Sequence, residues 1–290
     1  MTAQLERYSA VAQAASAEVI RRYSTSFGLA TKLLSKSHRV QIQNIYALVR
    51  VADEIVDGAV AEAKRSGGII EASHVLDEYE KEVYRALQGR FSSDLIVHSF
   101  ALTANEVGIS RELIRPFFES MRMDLWQTKH DAKSFERYVY GSAEVIGLMC
   151  LKVFIAGKPF SQAENREFVE GARGLGAAFQ KINFLRDLGA DNHGLGRSYF
   201  PGITVSKFNN SQRDELVADI NLDLAKATAS LVKLPADSRK AVSAALFLFR
   251  ALTQKVAKTE ASELVKTRIS VSNAWKAILV LLAILGITPQ

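Results

Sequence analysis

The sequence predicts an all-α fold, in which one domain of about eight to twelve helices packs around a single cavity. Apolar residues recur at helical spacing along most of the 290-residue chain. Strict alternation of polar and apolar residues, which would indicate strands, is almost absent. No proline-rich, repetitive or low-complexity segment divides the chain, so the domain is expected to span residues 1–290. Three of the helical repeats are Leu76, Tyr79, Val83 and Leu87; Leu113, Phe117, Met121 and Leu125; and Leu216, Ile220, Leu224, Ala227 and Leu231.

Local signals predict where several helices begin and end. Ser110 with Glu112 is expected to open a helix, and Ser161 followed by Glu164 has the spacing of a capping box. Gly58 is expected to end the helix before it, because glycine is common just past a helix end. Breaks of loop length are predicted at residues 58–68, 157–161, 194–202 and 234–238.

The composition points to a reducing compartment. Cys150 is the single cysteine, so no intramolecular disulfide can form, and its place in an apolar helical run predicts a buried structural thiol. The first residues carry Glu6 and Glu18 and lack the basic and apolar regions of a secretory signal. We therefore expect a cytoplasmic protein.

The formal net charge of +6 comes from Lys and Arg residues scattered along the chain. The basic-aromatic pattern of a nucleic-acid-binding module is missing, so nucleic acid is not an expected partner. A basic balance instead suits anionic diphosphate substrates, or an anionic surface such as the inner face of a membrane.

An uncharged apolar run, AILVLLAILGI, occupies residues 277–287. It is far shorter than the roughly 20 residues that cross a bilayer, so a transmembrane helix is not expected. Two interpretations are open. The run either closes the core as a buried helix, or it forms an apolar surface that touches a membrane or lines a hydrophobic tunnel.

Two aspartate pairs on distant parts of the chain are the main candidates for chemistry. In the first, Tyr46, Arg50, Asp53 and Asp57 fall at offsets 0, 4, 7 and 11, which places them on one face of a helix. Aspartates spaced i, i+4 repel each other, and no Lys at i+4 neutralises them. A Mg²⁺ ion would relieve the repulsion, since it takes oxygen ligands from one or two carboxylates plus substrate phosphates.

The second pair repeats this geometry. Gln180, Asn183, Asp187 and Asp191 fall at offsets 0, 3, 7 and 11, again on one helical face. Two such stripes facing each other suggest a cavity for metal-bound diphosphate. Either pair taken alone is more often a solvated helix face.

Five motifs occur in the order and approximate spacing of the squalene/phytoene synthase family, which the chain resembles over nearly its whole length. Within that family the motif sequences are most similar to those of bacterial phytoene synthases. The motifs are YSTSF at residues 23–27, YALVRVADEIVD at 46–57, MRMDL at 121–125, YVYGSAEVIG at 138–147 and QKINFLRDLGADNHGLGRSYFP at 180–201.

The resemblance implies an isoprenoid-synthase-type helical bundle whose two aspartate motifs face each other across the cavity. They would bind Mg²⁺, with Mn²⁺ as an alternative, and the diphosphates of two prenyl substrates. The implied catalytic residues are Tyr46, Arg50, Asp53, Asp57, Asp187 and Asp191, and the implied metal ligands are Asp53, Asp57, Asn183, Asp187 and Asp191. The implied substrate-binding residues are Ser24, Ser26, Tyr46, Arg50, Gln180, Asn183, Arg186, Arg197 and Tyr199. Simpler roles compete with two of them, since Ser24 could cap a helix and Arg50 could pair with Asp53.

The resemblance further implies the head-to-head (1-1′) condensation of two geranylgeranyl diphosphates to phytoene through a cyclopropyl diphosphate, the first committed step of carotenoid biosynthesis. Proton loss would end the reaction, so no NADPH is expected. The alternatives are a squalene or dehydrosqualene synthase that uses two farnesyl diphosphates, a head-to-tail prenyltransferase or cyclase, and a non-catalytic relative that acts in assembly. Peripheral membrane contact and downstream carotenoid enzymes are further implied partners.

Three residues depart from the family's common pattern. Glu54 stands in the first motif where many relatives have a second, adjacent aspartate. Phe249 precedes Arg250 where a tyrosine is frequent, which removes a hydroxyl that could contact diphosphate. Glu144 places an extra carboxylate near the expected cavity, and the sequence indicates no role for it.

Overall fold

The protein is all-α in its computed structural model, as the sequence predicts. The structure describes residues 3–24, 26–194 and 198–289, and for residue 26 and residues 190–194 it describes the backbone alone. Within these ranges no strand occurs, and the one extended pairing is an isolated bridge between Lys129 and Ser198. The α-helices are α1 (Ala3–Tyr23), α2 (Ser26–Thr31), α3 (Lys36–Asp57), α4 (Ala59–Arg65), α5 (Ala72–Gly89), α6 (Leu95–Val107), α7 (Arg111–Asp124), α8 (Ala132–Val139), α9 (Val145–Ile155), α10 (Gln162–Gly194), α11 (Asn210–Leu231), α12 (Ala236–Ala257), α13 (Ala261–Leu264) and α14 (Asn273–Ile284).

The core consists of two large hydrophobic clusters. The first cluster combines buried side chains of α3, α5, α6, α7 and α9, including Leu48 and Phe100. The second cluster combines buried side chains of α10, α11 and α12, including Phe168 and Leu185. Because α3 belongs to the first cluster and α10 to the second, different parts of the core carry the two aspartate motifs.

A π-helical turn, Tyr140–Glu144, joins α8 to α9 without a break. By length and composition alone, the resulting segment Ala132–Ile155 could cross a membrane. Its most apolar stretch is 56% buried, however, with Val145 in the first cluster and Leu151 in the second. The segment therefore packs as a core helix between the two clusters.

The predicted helix boundaries at Ser161 and Gly58 are confirmed. The Ser161 backbone N–H donates to the Glu164 carboxylate at 2.8 Å, and the Glu164 N–H donates to the Ser161 hydroxyl at 3.2 Å. This reciprocal pair is a capping box at the start of α10. At the other site, α3 ends at Asp57 and Gly58 is its cap.

Of two other local predictions, one is confirmed and one is partly right. α7 begins directly after Ser110 as predicted, although the Ser110 hydroxyl donates to the Glu112 carboxylate and caps no backbone N–H. Residues 58–68, expected as a loop, contain the short helix α4. Its AVAEAKR sequence consists largely of residues that favour helices, which explains why the chain forms another helical turn there.

Cys150 packs among the apolar side chains of the first cluster. Burial raises the pKa of its thiol to about 12. The thiol is therefore protonated at neutral pH and acts as a packing group, in line with the structural role that the sequence predicts.

The apolar run at residues 277–287 does not close the core. α14 carries most of this run, and among its side chains only Leu279 and Ala283 are buried, while Ile278 and Leu281 are exposed. The interpretation of the run as a buried closing helix is therefore wrong. The reason lies in the packing, because α14 rests with one side on α2 and α12 and no other described element covers its opposite side.

Close packing of α10 against the π-helical turn depends on Gly176. A Cβ atom at this position would lie 2.5 Å from the Ala143 carbonyl oxygen and 3.0 Å from the Glu144 Cα. These are backbone atoms of a buried segment, which cannot move aside alone. Gly147 of α9 stands in the same relation to the backbone of Ala172 on α10. Glycines on both sides thus allow α9 and α10 to approach closely.

Gly176→Ala is expected to lower the free energy of unfolding by about 1–3 kcal/mol, because the added methyl group overpacks a backbone contact. Gly89 at the end of α5 is the matched control, since a Cβ there would meet nothing within 4 Å. Gly89→Ala is expected to leave stability unchanged or to raise it by up to about 1 kcal/mol. Urea unfolding of both variants measures the difference, and equal stability would contradict the close approach at Gly176.

Candidate active site

The first aspartate motif lies on a half-buried face of α3. The Arg50 guanidinium donates to the carboxylates of Asp53 and Glu54, and it lies over the ring of Tyr23, 4.4 Å from the ring centroid. The simpler role of Arg50, as a partner of Asp53, is therefore present in this structure. Arg50 also offsets the repulsion within the aspartate pair. The neutralising cation is therefore an Arg three residues before Asp53 and not a Lys four residues after it.

Tyr46 lies where the end of α1, the start of α2 and α3 meet. Its ring stacks on Phe27 with the centroids 5.7 Å apart. Burial raises the pKa of Tyr46 above its ordinary value, although Arg50 and a hydrogen bond with Ser24 act in the opposite direction. The Ser24 hydroxyl also accepts the Phe27 backbone N–H at 3.2 Å, so Ser24 caps a helix and neighbours Tyr46 at once. The Ser26 side chain lies outside the described part of the chain.

The second aspartate motif lies near the end of α10. Asp187 accepts hydrogen bonds from Arg186 Nε at 3.0 Å and from Arg268 Nε at 2.8 Å. Arg268 belongs to the segment between α13 and α14. Sequence reasoning missed it because nothing in the local pattern around Arg268 connects it with α10.

The other predicted residues of the second stripe are only partly described. Gln180 and Asn183 are half-buried on α10, and their spacing places them on the same face as Asp187. The Asp191 side chain and the whole of Arg197 lie outside the described residues, so their roles stay predictions.

Four rings, which we call the aromatic cluster, meet beside the second motif: His130, Tyr138, Phe184 and Tyr199. Tyr199, a predicted site residue, stacks on Phe184 of α10 with the centroids 3.9 Å apart. The Tyr138 ring lies 5.4 Å from Tyr199, and the His130 ring stacks on Tyr199 at 5.9 Å. Phe184 is three residues before Asp187 on the same helix, which places the cluster next to that carboxylate.

Tyr138 connects the aromatic cluster to the end of α7. Its hydroxyl donates to Asp124, whose two carboxylate oxygens both lie 2.8 Å away. Burial raises the pKa of Tyr138 well above its ordinary value, and the charges of Asp124 and Asp57 add to this effect. The expectation that the two aspartate motifs face each other stays a prediction.

Sequence reasoning missed the roles of Tyr138 and Asp124. Both residues lie within the motifs named above. Asp124 is the fourth residue of MRMDL, and Tyr138 is the first residue of YVYGSAEVIG. The motifs mark the segments as important, but the spacing of residues within a helix cannot pair the end of α7 with α8.

A family model described as squalene/phytoene synthase matches residues 20–275. The chain belongs to the squalene/phytoene synthase family. The family fold agrees with the structure, because a crystal structure of a dehydrosqualene synthase in complex with ligand superposes with a TM-score of 0.78. That superposition covers 97% of this chain and 98% of the other, at 20% sequence identity.

Phytoene synthases are among the similar proteins of this family. The chloroplastic phytoene synthase 3 of Zea mays is 29% identical over 261 residues, which cover 82% of this chain and 58% of that protein. The 15-cis-phytoene synthase of Synechococcus elongatus is 28% identical over 254 residues, which cover 80% of each protein. The chain spans 58–62% of the length of the first plant relatives that it matches.

Two residues that depart from the family pattern have structural partners. Glu144, in the π-helical turn, pairs with Arg173 of α10 at 2.5 Å. This ion pair gives the extra carboxylate a role in joining two helices. The Phe249 ring meets Phe179 edge to face with the centroids 4.8 Å apart, so an apolar contact occupies the position where many relatives have a hydroxyl.

The carboxylates of the two motifs fit Mg²⁺ in ligand type. Asp53, Asp57 and Asp187 offer oxygen ligands, and Mg²⁺ in proteins typically combines one or two carboxylates with phosphate oxygens and water. Among the side chains that the structure describes, no three His, Cys, Asp or Glu residues form a ready-made metal cluster. The described carboxylates therefore fit Mg²⁺ by the type of ligand that they offer.

Two grooves lie on the described surface, with volumes of about 500 and 440 Å³. The larger runs along α8 and the π-helical turn to Arg173, and the smaller lies between the start of α5 and the end of α7. Neither is lined by an aspartate of the two motifs. The cavity expected between the motifs therefore stays a prediction.

Tyr138→Phe is expected to lower the free energy of unfolding by about 1–3 kcal/mol, because the buried Asp124 carboxylate loses a hydrogen-bond donor. Tyr8→Phe is the matched control. The Tyr8 hydroxyl donates to the backbone carbonyls of Ser92 and Ser93 at 2.9 Å, close to solvent that can replace it. Chemical unfolding should show a clearly larger loss for Tyr138→Phe, and the reverse order would contradict the importance of the Tyr138–Asp124 contact.

Proposed function

We propose that this protein condenses two molecules of geranylgeranyl diphosphate head to head into phytoene. The observation that carries the proposal is the similarity to phytoene synthases, which extends over 80–82% of the chain in the Synechococcus and Zea mays proteins. The chain also has both aspartate pairs of the family, Asp53 with Asp57 and Asp187 with Asp191. A protein that only binds partners has no need of such a set of carboxylates, so we propose an active prenyltransferase.

The arginines at the two motifs are suited to hold diphosphates. Arg50 binds Asp53 and Glu54, while Arg268 binds Asp187. These ion pairs are partly exposed to solvent, where such pairs contribute little free energy. A diphosphate carries more negative charge and more acceptor oxygens than a carboxylate and also forms charge-assisted hydrogen bonds, so it can compete for the guanidinium. The ion pairs of the ligand-free site would be exchanged for contacts to substrate.

The oxygen ligands for Mg²⁺ would come from both stripes. The residues proposed to hold the metal are Asp53, Asp57, Asn183, Asp187 and Asp191. When bound, the metal neutralises the charge of the departing diphosphate as a Lewis acid. The aspartates would be ligands rather than general bases, and no nucleophilic side chain is needed because the second substrate's double bond attacks the carbocation.

The aromatic cluster would protect that carbocation. The rings of Tyr138, Phe184 and Tyr199 are all buried, and the faces of aromatic rings attract cations. A site lined by such rings also keeps out water, which would otherwise trap the cation as an alcohol. The raised pKa of Tyr138 keeps its phenol neutral, so the cation meets no phenolate oxygen there.

We further propose that the reaction ends by proton loss, without NADPH. The substrates and the product have long apolar chains, so a cytoplasmic enzyme in peripheral contact with a membrane would take up and release them there. The hydrocarbon would then pass to downstream carotenoid enzymes.

A second candidate is a squalene or dehydrosqualene synthase that uses two farnesyl diphosphates. It is favoured by the structural likeness to a ligand-bound dehydrosqualene synthase. At 20% identity that likeness concerns the fold, whereas the sequence relatives bear more directly on the substrate. The depth of the tunnel distinguishes the two candidates, because a tunnel for four isoprene units loses about 0.8 kcal/mol for each CH₂ that a shorter chain leaves unburied.

Purified protein with Mg²⁺ or Mn²⁺ and geranylgeranyl diphosphate is expected to form phytoene, and added NADPH should change neither rate nor product. Farnesyl diphosphate should be the poorer substrate by at least about tenfold, because it gives up apolar contact along the tunnel. Extraction and mass spectrometry identify the hydrocarbon. Formation of squalene only with NADPH, or a clear preference for farnesyl diphosphate, would contradict the assignment as a phytoene synthase and favour the second candidate.

Asp53→Asn and Asp187→Asn are each expected to lower turnover on the order of 100-fold or more, since each removes a carboxylate that helps neutralise the leaving group. Asp214→Asn is the control. Asp214 is a solvent-exposed aspartate of α11 that pairs with Arg213, and this variant should keep near-parental turnover. Helical circular dichroism should be the same in all three variants. Near-parental activity of Asp53→Asn or Asp187→Asn at saturating Mg²⁺ would contradict the metal role of that motif.

A further inference from the structure

α14 is apolar on all sides although only one of its sides is packed. Its twelve residues, NAWKAILVLLAI, include Lys276 as the single charged residue. Leu279 and Ala283 are its buried side chains. A helix that is apolar all round is normally buried in a core or in a membrane, whereas a helix at a water-facing surface normally has a polar outer face. The outer face of α14 lacks such polar residues.

The exposed side chains of this region form one continuous patch, which we call the α14 surface. Six of the fifteen large apolar side chains that are exposed among the described residues fall within residues 275–287. Single exposed apolar residues are ordinary, but a cluster of this density marks a contact site. The α14 surface consists of Trp275 (47% exposed), Ile278 (45%), Leu281 (53%), Ile284 (43%), Leu285 (67%) and Ile287 (47%).

Most charges around the α14 surface are positive. From residue 264 to the end of the sequence the chain contains Lys266, Arg268 and Lys276 and no acidic residue. Lys255 of α12 adds a fourth cation, because its ammonium donates to the Ser270 carbonyl at 2.8 Å, beside the segment that leads into α14. Two acids face these four cations, Glu263 at 3.7 Å from Lys266 and Asp187 at 2.8 Å from Arg268. An apolar surface bordered by cations is complementary to the anionic headgroups and acyl chains of a bilayer.

We propose that the α14 surface docks this protein on an anionic lipid bilayer. Twelve helical residues span only about 18 Å, which is short of the roughly 30 Å of a hydrocarbon core. α14 therefore lies in the plane of the interface and does not cross the membrane. Trp275 at its first turn is the residue type that favours the headgroup region, since its ring is apolar and its N–H can donate a hydrogen bond there.

Docking through α14 places the substrate-binding side of the protein near the lipid. Ala283 of α14 packs with Ala30 of α2 and Ala244 of α12 in a small apolar cluster. One turn earlier on α2, Phe27 stacks on Tyr46 of the first aspartate motif. A prenyl chain or hydrocarbon that moves between the bilayer and the site has this short apolar path along α2 and α12. The path rests on the proposed function, whereas the docking itself does not.

Vesicle flotation of the full chain tests the docking. The protein is expected to float with vesicles of phosphatidylcholine plus phosphatidylglycerol, to bind pure phosphatidylcholine about tenfold or more weakly, and to be released by high salt. Leu281→Gln/Leu285→Gln is expected to weaken binding by about tenfold or more, because two apolar anchors are lost. Lys276→Gln is expected to weaken it by about fivefold. Leu222→Gln, an equally exposed leucine on α11, is the matched control and should bind like the parent.

Fluorescence gives an independent measurement. The chain has two tryptophans, Trp126 and Trp275, so Trp126→Phe leaves Trp275 as the single reporter. Its emission is expected to shift to shorter wavelength when anionic vesicles are added, because the ring moves from water into the interface. An unchanged spectrum together with unchanged flotation of Leu281→Gln/Leu285→Gln would overturn the proposal.

Turnover in detergent micelles separates this proposal from the proposed function. Leu281→Gln/Leu285→Gln should match the parent in detergent and fall behind it when the substrate is supplied in vesicles. A parent protein that binds vesicles but makes no hydrocarbon would overturn the proposed function and leave the docking in place. An active parent that does not bind anionic vesicles would overturn the docking and the proposed membrane contact, and it would leave the proposed reaction in place. A stable dimer that covers the α14 surface, detected by size-exclusion chromatography with light scattering, would have the same consequence.

Discussion

The geometry of the site depends on the stacked rings of Tyr138, Phe184 and Tyr199. α3 and α10 pack in different hydrophobic clusters, so nothing within either cluster brings their aspartates together. Phe184 comes from α10 and Tyr138 from α8, so the contact of their rings joins these two helices beside the second motif. The hydrogen bonds of Tyr138 to Asp124 hold its ring in one orientation. Aromatic side chains have few rotatable bonds, so such a contact can fix two helices relative to each other at a small entropic cost.

Part of the negative charge of the site is neutralised within the protein before any ligand arrives. Each described motif has an arginine beside its aspartate, Arg50 at Asp53 and Arg268 at Asp187. These pairs remove the like-charge repulsion that would otherwise disfavour the helices. They are also partly exposed, so they can be exchanged for contacts to a ligand without a large loss of stability. The same arginines thus support the ligand-free fold and, in the proposed function, would supply donors for a diphosphate.

Two apolar helical segments of this chain differ in how far they are buried. Ala132–Ile155 is apolar enough by composition to cross a membrane, yet it is enclosed between the two hydrophobic clusters. α14 is similarly apolar but exposes most of its outer face. Composition cannot separate the two cases, because burial depends on which other elements cover a helix. The glycines that let α9 and α10 approach closely explain why the first segment is covered so completely.

The all-α class, the family, several helix boundaries and the two stripes could be predicted without a structure; the stripes carry Tyr46, Arg50, Asp53, Asp187 and their neighbours. The helix boundaries and the stripes follow from the helical period and from local hydrogen bonds, such as the capping box of Ser161 and Glu164, which act within a few residues. By contrast, the packed molecule was needed to find that Arg268 binds Asp187, that Tyr138 binds Asp124 and that α14 stays uncovered. The two hydrogen bonds join residues of different elements, and the exposure of α14 depends on which elements pack against it. The periodicity of one segment does not indicate which other segments will pack against it.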